Sequence, residues 1–413
     1  MQTDCVILGG GAGGLCAAAA LGRRRLHVTV VERLPRVGKK LLATGNGRCN
    51  LSNLDMQAAH YGKAAPFVGG LAAVPPEDVA AFFASLGLMT AVEDGRVYPR
   101  TMAASAVLDV LRMACERTSV TLLTDTEAVA LTPSRRGGWS VQLADGSGLF
   151  APHVIAAMGG SAAPSMGTDG TGARLMQSLG HEITPLYPAL VQLKCIHPAL
   201  KGLKGIRTQA ELTLMIDDQA ICGKPASAAD GLRRIGVCVF QLSREAAPAL
   251  AQGRSVRLAV NFLPESHRFC RAGCAHPSAR ARVPVGTDDR RLPRLLAQTV
   301  IREARLSPDM PAEALSESKS RRFAALSAFR WSSGHPGLCQ RAGHARRRFP
   351  RGRRSLNQLP ACLTACTSSA STRCGRPCGG YNLHFAFAGA LTAARRLQVT
   401  LIFGGTPCSG SIT

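Results

Sequence analysis

Cys5-Val6-Ile7-Leu8-Gly9-Gly10-Gly11-Ala12-Gly13-Gly14 runs four apolar residues straight into glycines, and that junction decides the fold. A short unbroken apolar run is the pattern of a strand buried on both faces of a parallel sheet. Gly9, Gly11 and Gly14 give the G-x-G-x-x-G spacing, and the Ala-rich stretch 15–21 behind them reads as a helix with small residues for close packing. In such a unit the first glycine makes the turn, the second lets the backbone approach a pyrophosphate, and the third permits close helix–sheet contact. The helix start, with Ala12 and Gly13, then offers phosphates its unpaired N–H groups and the positive end of its dipole.

The next strand, 27–31 (HVTVV), ends in Glu32, eighteen residues past Gly14. A carboxylate there can accept both hydroxyls of an adenosine ribose and would repel a 2′-phosphate. Glycine spacing alone occurs in many ligand-free turns. Strand, glycines, helix, strand and acid together point to a dinucleotide site in an α/β, Rossmann-like domain, a parallel sheet flanked by helices. The acid does not decide between FAD and NAD.

Residues 33–53 read RLPRVGKKLLATGNGRCNLSN. This segment resembles the bacterial family of NAD(P)/FAD-dependent oxidoreductases, glutathione-reductase-like flavoproteins that include the aminoacetone oxidase family FAD-binding enzymes. There a GKK-hydrophobic-TGNGRCN-S/T-N segment follows the ribose-binding acid, wraps the FAD pyrophosphate and reaches the flavin. The resemblance implies FAD as cofactor and places Arg33, Gly38, Lys39, Lys40, Gly45, Gly47, Arg48, Cys49 and Asn50 at it. The residue chemistry agrees, since Gly, Asn and Thr give backbone donors and tight turns while Lys and Arg neutralise phosphates. An exposed basic loop is the plainer reading of the same residues. NAD(P)H as reductant follows from the family label only, because no separate nicotinamide fold is evident.

The likeness continues through 95–100 (GRVYPR), the amphipathic stretch 104–115 and a strand pair within 121–131, where the backbone of Glu127, Ala128 and Val129 is expected at adenine. Residues 154–161 (VIAAMGGS) resemble an ATGG-S segment near the cofactor, which adds Gly159 and Gly160 and puts Met158 where threonine is common. His181 reads as a structural cation at a helix C-terminus rather than a catalytic base. Gly379-Gly380-Tyr381-Asn382-Leu383-His384-Phe385-Ala386-Phe387 and a small-residue helix match the family's closing segment. The resemblance puts Gly380, Tyr381 and Asn382 at the cofactor, with the helix N-terminus toward the flavin pyrimidine edge. No catalytic acid or base is identified, and Cys49 lacks the C-x-x-C partner of a disulfide reductase.

The expected organisation is an FAD-binding domain from 1–192 and 378–400, an inserted substrate-side domain at 193–329 of mixed β-barrel and helical character, and an anomalous basic segment at 330–377. Apolar alternation at 211–216 (ELTLMI) and 256–260 (VRLAV) reads as antiparallel strands of the insert. Residues 266–286 share the anomalous character of the later segment.

The chain has 413 residues, 46% of them hydrophobic, and a net charge of +24. The first two numbers exclude disorder throughout. Such a charge, if evenly spread, would suggest a polyanionic partner. It is not even: no Asp or Glu occurs after Glu317, and 330–377 is rich in Arg, Cys, Ser and Pro without Lys. One explanation is an arm for nucleic acid. The other is out-of-frame translation of a GC-rich gene. Joining the last two bases of each codon to the first of the next across 335–348 permits TRGFASAQVTRGGV, which resembles the family's missing A-x-V-T-x-GG-V segment. A frameshift near 329, restored near 378, is therefore expected to leave no strand before the closing helix and an open sheet edge.

Fifteen cysteines without a secretory signal imply a cytoplasmic, reducing setting with free thiols. No apolar run approaches the ~18–20 residues that cross a bilayer, so no membrane partner is expected. Cys270/Cys274, Cys362/Cys366 and Cys374/Cys378 are C-x3-C pairs without companion ligands, so no metal is assigned. Three readings remain: an FAD-dependent oxidoreductase moving hydride to or from a small-molecule substrate, an RNA- or tRNA-binding flavoprotein using the basic C-terminal half, and an inactive frameshifted product.

Overall fold

The computed structural model describes residues 3–57, 74–135, 137–181, 183–188, 203, 206, 208–228, 237–261, 293–303, 328–332, 342–346, 362–363 and 381–403. Two compact units emerge, Met1–Leu186 with Arg341–Thr413, and Tyr187–Gln340.

The first unit is an α/β Rossmann domain. Its elements are β1 (Cys5–Leu8), α1 (Ala12–Gly22), β2 (Val28–Val31), α2 (Ala104–Glu116), β3 (Val120–Leu123), β4 (His153–Ala156) and α3 (Tyr381–Phe403). The parallel order is β4-β1-β2-β3, with Cys5 opposite both His153 and Val28, and Val28 opposite Val120. Every residue of β1, β2 and β4 is buried, which is why β1 reads as an unbroken apolar run and β2 and β4 as nearly so. α1 is buried from Gly13 to Gly22. A helix apolar all round must be enclosed, and here Leu15 and Leu21 share a core with Val107 and Leu111 of α2 and with Phe387 and Leu397 of α3. Burying each such side chain contributes about 1.5–3 kcal/mol. On the other side of the sheet Val6, Leu8 and Val154 pack with Trp139 and Val141.

The strand expected to be missing before α3 is present in short form. Cys362–Leu363 pairs in parallel with β4, Cys362 opposite Val154 and Leu363 opposite Ile155. Ladder bonds come from the backbone and need no side-chain pattern, so this pairing left no periodicity to read. Ala342–Arg346, in the same basic segment, is also a strand.

The second unit carries a four-stranded antiparallel sheet in the order Gln219–Ala228, Thr208–Ile216, Val256–Asn261, Ala328–Ser332. The alternation in 211–216 and 256–260 has the expected cause. Leu212, Leu214 and Ile216 are buried directly opposite Val260, Leu258 and Val256, so one apolar face closes on itself.

Candidate functional site

The glycine loop is tied to the sheet by contacts that leave no room for side chains. Gly9 has φ +103°, and a Cβ there would lie 2.7 Å from the Ala157 carbonyl oxygen. A Cβ on Gly14 would lie 1.8 Å from the Gly9 carbonyl oxygen. Gly11, by contrast, has nothing within 4 Å of its would-be Cβ. It is the extended N-cap of α1, and no side chain caps the helix there. A half-buried helix start without a side-chain cap, beside open space, is the arrangement that accepts an anion. Glu32 closes the loop from β2: Oε2 accepts from the Gly10 N–H at 2.8 Å and Oε1 from the Leu34 N–H at 2.9 Å.

Next to the loop lies a cleft lined by Gly9, Glu32, Arg33, Glu127, Ala128 and Asp169, among others. Arg33 donates to Asp169 Oδ2 at 2.9 Å and lies 3.8 Å from Glu127 Oε1. The Arg33 hydrogen bond holds the Asp169 carboxyl well below the usual carboxylate range, with further help from Thr171 and against a smaller burial penalty. Three carboxylates against one guanidinium give the cleft many acceptors and a negative bias. Of the residues whose backbone is expected at adenine, Glu127 and Ala128 line the cleft together with Thr126, while the Val129 side chain is half-exposed.

The segment 38–53 leaves the loop at Gly38, whose N–H donates to the Gly10 carbonyl at 2.8 Å, and runs on through turns that sequence alone marks only as glycines. Gly38 has φ +74°, and a Cβ there would strike Leu108 at 2.3 Å. Gly45 and Gly47 are also left-handed, as are Asn46 and Cys49. Lys40 donates to the Ala162 carbonyl at 2.9 Å and to Thr168 Oγ1 at 3.2 Å, and burial lowers its pKa. Its ammonium thus anchors the turn around 162–168, while Lys39 is exposed. Arg48 stacks over Tyr98, 4.9 Å from the ring centroid, and pairs with Glu93 at 3.5 Å. Cys49 is buried, and that burial pushes its thiol up to about 12, which removes it as a thiolate nucleophile at neutral pH. Asn50, Ser52 and Asn53 are buried polar residues of the same segment.

α3 meets this segment through His384, whose Nδ1 lies 2.9 Å from Ser52 Oγ. His384 is fully buried, and burial pushes its pKa down to about 4, opposed in part by the nearby Val74 backbone and Glu77. Its ring is neutral at neutral pH, and Nε2 has no partner in hydrogen-bond geometry among the described residues. Asn382 Oδ1 is likewise buried without a partner among them. Of Tyr381 only the backbone is described, as the first residue of α3, and Gly380 lies outside the described residues. Gly159 is left-handed at φ +75° and Gly160 is buried, both just past β4. His181 follows the helix Thr171–Ser178, its N–H bonded to the Met176 carbonyl at 3.2 Å.

Asp169, Thr168 and the Ser52–His384 contact are additions that no local pattern announced. Among the described residues, no group of three or more His, Cys, Asp or Glu could hold a metal ion, and no helix is long and apolar enough to cross a membrane. Of the three C-x3-C pairs only Cys362 is described.

The family model described as HI0933-like protein Rossmann domain matches residues 3–343. A Clostridium scindens protein named 3-dehydro-bile acid delta(4,6)-reductase is 41% identical over 267 residues, covering 63% of this chain and 64% of that protein. A Haemophilus influenzae ribosomal RNA dihydrouridine synthase is 26% identical over 229 residues, 54% of this chain and 55% of that one. The chain thus spans less than two thirds of the length of these curated relatives. Among solved structures, pqsL, a probable FAD-dependent monooxygenase from Pseudomonas aeruginosa, aligns over 98% of this chain and 88% of its own at 15% identity, with a TM-score of 0.39.

Proposed function

The chain belongs to the HI0933-like family of FAD-binding Rossmann proteins, and from that premise we propose that it is an FAD-dependent reductase of a carbon–carbon double bond in a small cyclic molecule. The observation that carries the cofactor is the glycine loop: Gly14 packed against Gly9 beside open space over Gly11 at an uncapped helix start. The residues present fit FAD. Glu32 can exchange its two backbone donors for ribose hydroxyls, and the acid-rich cleft disfavours a 2′-phosphate. The start of α1 is suited to a pyrophosphate. The orphaned Asn382 oxygen supplies a buried acceptor of the kind a flavin pyrimidine N–H needs.

FAD, when bound, supplies two-electron hydride chemistry, and NAD(P)H is the reductant proposed for it. The substrate class rests on the relatives' names. A delta(4,6)-reductase and a dihydrouridine synthase share the saturation of a ring carbon–carbon double bond, in which one carbon gains hydride and the other a proton. The chain's contribution is to hold the cofactor, exclude water around the buried 49–53 segment and keep His384 neutral. Cys49, protonated and buried, takes no part as a nucleophile.

The test is anaerobic. The full chain is incubated with FAD, freed of unbound ligand, reduced with NADH or NADPH, and mixed with a 3-oxo steroid dienone. Retained flavin absorbance, bleaching by nicotinamide and reoxidation by the dienone are the expected results. A colourless protein overturns the cofactor assignment, and reduced flavin that the dienone leaves bleached overturns the substrate class.

A second reading, reduction of a pyrimidine ring in RNA, is favoured by the two relatives named ribosomal RNA dihydrouridine synthase. Reoxidation by ribosomal RNA but not by the dienone would select it. The out-of-frame origin of 330–377 also remains a proposal, tested by the codons themselves: a gene whose bases forbid the TRGFASAQVTRGGV reading ends it.

A further inference from the structure

The C-terminal end of α1 opens on a second cleft, remote along the helix from the glycine loop. Arg23 and Arg24 enter it from the turn that follows α1, Arg395 from α3, and Asp78, Phe82 and Ser85 from the helix Pro76–Ser85. The space amounts to about 930 Å³ including its mouth to solvent. Three guanidiniums face one carboxylate. Arg395 pairs with Asp78 at 2.8 Å, Arg24 donates to the Ala394 carbonyl at 2.9 Å, and Arg23 donates to Ser85 Oγ at 2.5 Å. Burial, and then the proximity of Arg395, lowers the Arg24 pKa. Its hydrogen bond to Ala394 holds the Arg24 guanidinium against the residue that precedes Arg395 on α3.

A structural account explains part of this. Cations suit the C-terminus of a helix, which covers Arg23 and Arg24. It does not explain why Arg395 joins them: among the described residues that line the cleft, Asp78 is the one carboxylate against three guanidiniums. A bound anion would. Guanidinium forks match phosphate oxygens in pairs, while Phe82 and Leu391 add apolar wall beside the charges. The positive groups converge on one concavity rather than lining a strip, which suits a small ligand better than a nucleic-acid strand.

We infer that this cleft binds a phosphorylated small molecule, its phosphate or diphosphate group held by Arg23, Arg24 and Arg395 and its body lying against Phe82 and Leu391. The site is separate from the dinucleotide loop and does not depend on the activity proposed above.

Titration calorimetry of the full chain with inorganic pyrophosphate tests it, and three variants separate the two anion sites. Arg24→Gln and Arg395→Gln each remove one fork. Gly11→Asp puts a carboxylate into the open space at the glycine loop without a clash. The expected result is saturable binding whose Kd rises about tenfold in each arginine variant and is unchanged in Gly11→Asp. Arg395→Lys, which keeps the charge without the fork, should fall between. Absence of saturable binding overturns the inference. So does binding that Gly11→Asp abolishes while the arginine variants retain it, because the pyrophosphate then sits at the loop. Tight binding of an RNA oligonucleotide at this cleft without pyrophosphate binding also overturns it in favour of a nucleic-acid contact. Unchanged thermal midpoints of the exposed arginine variants confirm that folding is not what the titration reads.

Discussion

At one end of α1, Glu32, Glu127 and Asp169 surround a single arginine, Arg33; at the other, Arg23, Arg24 and Arg395 surround a single carboxylate, Asp78. One helix thus separates two clefts of opposite bias inside a chain whose net charge is +24. The contrast teaches that total charge is a poor guide to what this domain binds. At the acidic end phosphate recognition falls to backbone N–H groups and a helix dipole, leaving the acids to receive hydroxyls. At the basic end the helix dipole has the wrong sign for an anion, so side-chain guanidiniums must do the work.

The largest effect expected is a backbone one at the acidic end. Gly14→Val places carbon 1.8 Å from the Gly9 carbonyl oxygen, and neither atom can retreat without moving β1 or α1. A loss of more than about 4 kcal/mol in urea denaturation is expected, and both clefts should disappear with α1. Gly11→Asp is the contrasting variant. Its side chain meets open space at an extended N-cap, where Asp is better than Gly by about a few tenths of a kcal/mol. Flavin retention should vanish while the denaturation midpoint holds or rises. A Gly11→Asp protein that still keeps FAD through gel filtration would break the assignment of the acidic end.

Acid separates the two ends next. His384, bonded to Ser52, has a folded pKa of about 4 against an ordinary value of 6.5. Between those values the unfolded chain binds a proton that the folded chain refuses, so stability is full above about pH 6.5 and is lost as pH falls toward 4. The integrated loss is about 3 kcal/mol. Guanidinium groups in general stay charged over that window. His384→Asn, which cannot titrate, should flatten the dependence of the urea midpoint between pH 6.5 and 4. An unaltered slope would mean that other groups set it.

This pair also marks where the sequence stops being legible. β1, the glycine spacing, α1, β2 and Glu32 lie within 32 residues, and each constrains its neighbour through one strand or one turn, so they can be read locally. The strands that carry Leu212, Leu214 and Ile216 and Val256, Leu258 and Val260 are legible by their own alternation; that they pair with one another is not. Ser52 and His384 are 332 residues apart, and nothing about a serine in one loop selects a histidine in the last helix. The basic cleft likewise joins residues 23–24, 78–85 and 395, which only packing brings together. Lys40 is the instructive middle case. Its motif places it at the cofactor, and packing gives its ammonium two protein partners, Ala162 and Thr168, that no local pattern names; a lysine stem is long enough to serve either role.

A smaller effect is expected at Glu32 itself. Glu32→Gln keeps the shape but loses the charge that makes its two backbone hydrogen bonds charge-assisted, and the same charge would be lost to the ribose hydroxyls. FAD affinity, followed by flavin fluorescence quenching, should weaken about tenfold, with pyrophosphate binding at the basic cleft unaffected. Loss at both sites together would show the two ends to be one coupled unit.

The smallest effect sharpens the comparison most. The Arg33–Asp169 pair is partly open to solvent, with side chains 24% and 40% exposed, so screening limits its contribution to between about 0 and 1 kcal/mol. Asp169 is held below the ordinary carboxylate range, so what it contributes is present above that range and is lost only as the pH falls through its lowered folded value. Asp169→Asn should thus leave the neutral-pH denaturation midpoint within that limit. It should nevertheless change selectivity, because it removes one of three negative charges and releases Arg33 from its nearest acceptor. Competition against FAD by ADP and by its 2′-phosphorylated analogue gives the readout: the preference for ADP should fall in the variant. If it does not, the acids around Arg33 are not what excludes a 2′-phosphate, and the opposition between the two clefts reduces to a difference in surface charge.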